Sequence, residues 1–137
     1  MKKILILFLL INLLTINSVL GKATIEIPPQ NRPPSVMELA FLRELGPSIL
    51  KAMSTHGQLQ LFTSERIEKI ERNIENDYYD ISVRVAGYEG AINPPYKLIR
   101  ITFRVPGKDY KNELDVISYK ATDITPEEFV KLSEFAR

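Results

Sequence analysis

A chain of 137 residues with a formal net charge of +1 has no bulk electrostatic attraction for nucleic acid or an anionic surface. It contains no cysteine, which excludes a disulfide framework, a thiol nucleophile and a lipid-modified cysteine anchor. Its length and its 45% hydrophobic content suit one domain with a modest core.

The N-terminus reads as a targeting segment. Lys2 and Lys3 precede an unbroken apolar run over residues 4–11, and the small residues Gly21 and Ala23 follow a polar stretch. Asn12, Thr15, Asn17 and Ser18 interrupt a run already shorter than the roughly 20 residues a spanning helix needs. We therefore expect a signal peptide over residues 1–21, with cleavage after Gly21 or Ala23 and no transmembrane anchor afterwards. The protein is then expected outside the membrane, secreted or in the cell envelope.

Residues 22–34 hold Pro28, Pro29, Pro33 and Pro34, four of the nine prolines, and read as a solvated extended arm. A single α+β domain over residues 35–137 should follow. Ser35 and Glu38 form a capping box that starts a helix. Met37, Phe41 and Leu45 make its apolar stripe, and Gly46-Pro47 should break or kink it. Ile49, Leu50 and Met53 continue a second helical piece ended by His56-Gly57, where a protonated imidazole suits the helix dipole. Residues 58–62 alternate as a short strand. Ile67, Ile70 and Ile74, three and four apart, predict a second helix with Glu65–Lys69 and Glu68–Arg72 pairs on its wet side.

The centre of the chain is residues 80–105, two alternating runs. Ile81, Val83 and Val85 share one face, as do Ile99, Ile101, Phe103 and Val105, which is the period of half-buried antiparallel strands. Between them lies Gly87-Tyr88-Glu89-Gly90-Ala91-Ile92-Asn93-Pro94-Pro95-Tyr96, too rich in Gly, Asn and Pro to extend either strand. That segment, followed by Ile99-Arg100-Ile101-Thr102-Phe103-Arg104-Val105, resembles a family of small secreted proteins of Bacillus-type bacteria, domain of unknown function 3888. The resemblance covers residues 35–121 and implies export, but no activity. Relatives often carry His where this chain has Ile92, so no acid–base or metal role is carried over to that position.

Pro106-Gly107 then turns into a polar loop to Asn112. Leu114, Val116 and Ser118 alternate with Asp115, Ile117 and Tyr119 as a third strand. Thr125-Pro126-Glu127-Glu128 caps a closing helix docked by Phe129, Leu132 and Phe135.

Helices before a strand meander argue for an antiparallel sheet of three to four strands with its helices on one face. Element order alone allows a cystatin-like or nuclear-transport-factor-like fold. To keep Arg84 away from Arg100 and Arg104, we expect Val83 opposite Phe103 and Val85 opposite Ile101, with Glu89 opposite Lys97. Phe103 should meet Val116, placing Arg104 opposite Asp115. The second sheet face would carry Arg84, Arg100, Arg104, Asp115 and Tyr119, as a solvated surface or the floor of a polar groove.

No metal, cofactor or catalytic set is expected. His56 is the lone histidine, no serine lies in a Gly-x-Ser-x-Gly elbow, and Glu75, Asp77 and Asp80 lack calcium-loop spacing. The candidate binding residues are Tyr88, Glu89, Asn93, Pro94, Pro95, Tyr96 and Arg100. They suit an exported binding domain at the cell envelope, whose partner is an envelope protein, a peptide or a small ligand. A small hydrolase using Glu89 and an inhibitor that inserts its Asn-Pro-Pro loop into a cleft are the alternatives.

Overall fold

The computed structural model describes residues 23–108 and 114–136; the expected signal peptide and part of the loop before Asn112 lie outside them. In chain order the elements are β1 (Thr24–Glu26), α1 (Val36–His56), β2 (Leu61–Asn73), β3 (Tyr78–Glu89), β4 (Asn93–Val105), β5 (Asp115–Asp123) and α2 (Pro126–Ser133). The strands make one antiparallel sheet in sequential order. The class is α+β as expected, but the sheet has five strands rather than three to four.

The helices do not share a face. Leu42, Leu45, Ile49, Ala52 and Met53 of α1 form the core with Ile81, Val83, Val85, Ile99, Ile101 and Phe103. Side chains alternate across a strand, so Tyr96, Leu98 and Arg100 point the other way. On that side Phe129 of α2 stacks on Tyr96. Two separate apolar surfaces on one sheet give each helix its own place.

Helix α1 is continuous through Pro47 instead of breaking there. The carbonyl that loses its donor belongs to Arg43, an exposed residue, so water can satisfy it. At the start of α1, Ser35 Oγ accepts from the Glu38 amide, but the Glu38 carboxylate does not return the bond. It is buried instead against β2, where its Oε1 accepts from Arg66 Nε at 3.1 Å and from the Ile67 amide at 3.0 Å.

The expected second helix is a strand. Residues 61–73 form β2, and two irregularities in its pairing with β3 explain the misleading periodicity. Ile67 pairs with Val83 and Ile70 with Ile81, so three residues of β2 match two of β3. The inserted residue, Glu68, is a bulge, and it turns a spacing of two into a spacing of three. A second irregularity, between Thr63 and Arg66, holds Ser64 at φ +59°. Ile74, expected in the buried stripe, is exposed in the turn before β3.

The same device acts in β5. Phe103 meets Val116 and Arg104 meets Asp115 as expected, but the register shifts between Thr102 and Phe103. Tyr119 therefore packs against the core rather than on the polar face, stacked with His56 at 5.9 Å.

In the β3–β4 hairpin the register also differs from expectation. Val83 pairs with Ile101, Val85 with Ile99 and Ile81 with Phe103, which places Arg84 directly opposite Arg100. Gly87, not Glu89, faces Lys97. Pairing continues closer to the tip than Pro94 and Pro95 suggest, and Glu68, paired with Arg100, supplies a counter-charge beside the like-charge contact.

The proline-rich arm is docked through its backbone, while most of its side chains are exposed. Its first residues are β1, paired with the end of β2, and Pro34 is buried. Arg66, 1% exposed, donates to the carbonyls of Pro29, Arg32 and Phe135 at 2.7, 3.0 and 2.7 Å. Gln30 Nε2 donates to the Ile67 carbonyl. One guanidinium thus joins the arm, α1, β2 and the C-terminal tail.

Candidate functional site

The β3–β4 connection is a tight turn, Gly90-Ala91-Ile92, with Pro94 and Pro95 inside β4. The Pro94–Pro95 bond is cis. Gly90 at φ +52° needs the freedom of glycine, but Ile92 has φ +62°, a region that hairpins normally give to Gly or Asn. A β-branched side chain there is strained. The surroundings hold it in place: Tyr96 Oη donates to the Ile92 carbonyl at 2.9 Å, and the Tyr96 ring stacks on Phe129 with centroids 4.4 Å apart. Tyr88 meets Phe129 edge-on at 6.2 Å.

A second brace comes from Gln60, which is buried and whose Nε2 donates to the Pro95 carbonyl at 3.1 Å. Gly87 makes room for it, because a Cβ there would lie 2.7 Å from Gln60 Oε1. The tip is therefore rigid underneath and bare on top. Glu89, Ala91, Ile92, Asn93, Pro94 and Pro95 are all exposed. Beside it opens a cleft of about 790 Å³ between α1, the Ser64 irregularity and α2, with Leu39, Leu42, Ile92 and Phe129 among its walls.

Of the expected site residues, the fold joins Tyr88 and Tyr96 through Phe129 and places Glu89 and Asn93 opposite each other at the tip. Glu89 points outward, where Gln58 Nε2 donates to it at 3.3 Å. Arg100 is not at the tip. It lies further along β4, with its Nε on both oxygens of Glu68 at 3.1 and 2.9 Å. The bulge that inserts Glu68 into β2 is what aims this carboxylate across the sheet.

Arg100 belongs to a groove under α2 of about 570 Å³, together with Arg84, Leu98, Ile124, Leu132 and Phe135. Arg84 is 7% exposed and its Nη1 donates to the Ser64 carbonyl at 3.2 Å. Burial pushes the Arg84 guanidinium below its ordinary value; Glu68 opposes this, while Arg66 and Arg100 add to it. Arg104 behaves differently. Its bidentate bonds to Asp80, both 2.8 Å, hold its pKa above the ordinary value, and it lies over the Tyr78 ring at 3.8 Å. Asp115, opposite Arg104 as expected, accepts from the Lys108 amide.

Sequence reasoning passed over Arg66, Glu68, Gln60 and Ile92 as site-forming residues. The composition around Arg66, Glu68 and Gln60 marks none of them out. Ile92 was visible as an apolar residue inside a turn-forming run. Among the described residues no cluster of three or more His, Cys, Asp or Glu side chains could hold a metal ion, and no helix is long and apolar enough to cross a membrane.

The architecture is that of a small α+β domain with one braced hairpin tip. Residues 37–123, from α1 to the end of β5, match a family described as a protein of unknown function, DUF3888. The match takes in more than half of the chain, and the chain belongs to that family. No curated protein and no solved structure matches it.

Proposed function

We propose that this is an exported binding domain of the cell envelope, which engages a protein or peptide partner with the β3–β4 tip and the cleft beside it. The observation that carries this reading is Ile92. An apolar, β-branched residue is held 57% exposed in a left-handed backbone conformation, at a stability cost of about 1–3 kcal/mol. Strain of this kind needs a reason outside the fold, and a partner contact supplies one. Asn93, Pro94 and Pro95 extend the same surface, and its rigidity limits the ordering entropy lost on association.

The strand–helix–meander order is that of a cystatin-like domain with an added C-terminal helix. We read the fold so, and the protruding tip then favours insertion into a partner's cleft. Glu89, exposed and hydrogen-bonded to Gln58, has the setting of a contact residue.

Ile92→Gly should raise stability by about 0.5–1 kcal/mol, since the strain relieved exceeds the entropy glycine adds. A photo-cross-linking side chain at position 92 in the expressing cell should give a discrete adduct, and the same group at the exposed Thr122 should not. Identical patterns from both positions would sink the reading. Export has its own check. Protein recovered outside the membrane should have a mass lacking the residues up to Gly21 or Ala23, and a full-length mass in that fraction would refute it.

A further inference from the structure

The pairing register sets four cations in one row across the sheet: Arg66 opposite Arg84, Arg84 opposite Arg100, and Arg100 opposite Lys120. Like charges directly opposite one another destabilise a sheet unless counter-charges are supplied. Arg66 has Glu38 at 3.1 Å, and Arg100 has Glu68 at 2.9 Å. Lys120 is exposed to water. Arg84, in the middle and nearly buried, makes its one side-chain hydrogen bond among the described residues to a neutral carbonyl. A guanidinium has five N–H donors.

The groove above this row has apolar walls, Leu98, Ile124, Leu132 and Phe135. Two other carboxylates and the exposed Lys131 border it. Glu128 is engaged at the start of α2, where its Oε2 accepts from the Thr125 amide, and Glu134 is exposed beyond the end of that helix. About 570 Å³ is within the size range of small-ligand sites.

We propose that this groove binds a small amphiphilic carboxylic acid, with its carboxylate on the guanidinium of Arg84 and its hydrocarbon chain along the walls under α2. A single negative charge completes the row by giving the central arginine its own counter-ion. A doubly charged phosphate would face repulsion from Glu68, Glu128 and Glu134, which Lys131 alone does not offset. An apolar chain replaces water against Leu98, Leu132 and Phe135, where each buried methylene favours binding. This site is independent of the hairpin tip.

Decanoate, below its micelle concentration, is the probe, titrated by calorimetry and by NMR of the arginine Nε–H signals. Saturable binding with a shifted Arg84 Nε–H signal is the expected result. Acetate, which lacks the chain, and decanol, which lacks the charge, should each bind at least about tenfold more weakly. Arg84→Gln should weaken decanoate by a similar factor. Leu132→Glu, which leaves Arg84 untouched and puts a negative charge on the wall, should abolish binding even if the Arg84 variant folds poorly. Decanoate that binds both variants as well as the parent, or that leaves the Arg84 signal unmoved, overturns the proposal. So does an equal affinity for decanol. None of these outcomes bears on cross-linking at position 92.

Discussion

Arg66 and Arg84 face each other on adjacent strands, and both are almost fully buried, yet their surroundings are opposite. Arg66 has a carboxylate and three carbonyls, gathered from α1, the arm and the C-terminal tail. Arg84 has one carbonyl, a cation on each side and only the through-space attraction of carboxylates that are paired with its neighbours, chiefly Glu68. Burying a charge costs several kcal/mol, and only complete hydrogen bonding offsets that. The first arginine is therefore a structural joint. The second is held in a state the fold alone does not reward.

The largest effect should come from breaking the joint. Arg66→Ala leaves Glu38 buried without its partner and should cost about 3–5 kcal/mol, read from denaturant unfolding. Arg84→Met tests the other side of the contrast. It removes a like-charge contact and keeps side-chain length, so stability should change by about 1 kcal/mol or less. If the two substitutions cost the same, the distinction between the arginines is wrong.

Tyr119 sharpens the point on a neutral group, because its buried Oη has no hydrogen-bond partner among the described residues. Tyr119→Phe should leave stability at neutral pH unchanged, or raise it by up to about 1 kcal/mol. Burial raises the Tyr119 pKa above the ordinary 10, with Lys97 opposing more weakly. The folded state therefore favours the protonated phenol. Its contribution is complete below about pH 10 and is lost as pH rises through the higher folded value. Melting temperatures measured above pH 10 should fall less steeply for the variant than for the parent.

Much of the fold was legible where local rules act alone. Ile81 to Val85 and Ile99 to Phe103 alternate cleanly, and both helix starts carry their caps, with the full capping box at Thr125 and Glu128. Bulges defeated the reading of β2 and the facing of Tyr119, because one inserted residue turns strand period into helix-like spacing. Arg84 opposite Arg100 was excluded on charge, an argument blind to Glu68 arriving from another strand. Of the candidate site, the aromatic support of the tip was predictable only in part. Tyr88 and Tyr96 were visible, but their meeting on Phe129 depends on α2 crossing to the second face.

The Arg66 joint also sets an order in time. Its guanidinium holds the carbonyls of Pro29 and Arg32, near the start of the described chain, and that of Phe135, near its end. A ribosome releases the arm before residue 135. Until residue 135 is free, Arg66 lacks one of its four partners, although the α1 core and the β3–β4 hairpin lie complete within the chain already released. This bond therefore closes after the sheet residues have been made, and a chain stopped before Phe135 should keep its sheet while its N-terminal arm is more open to proteases.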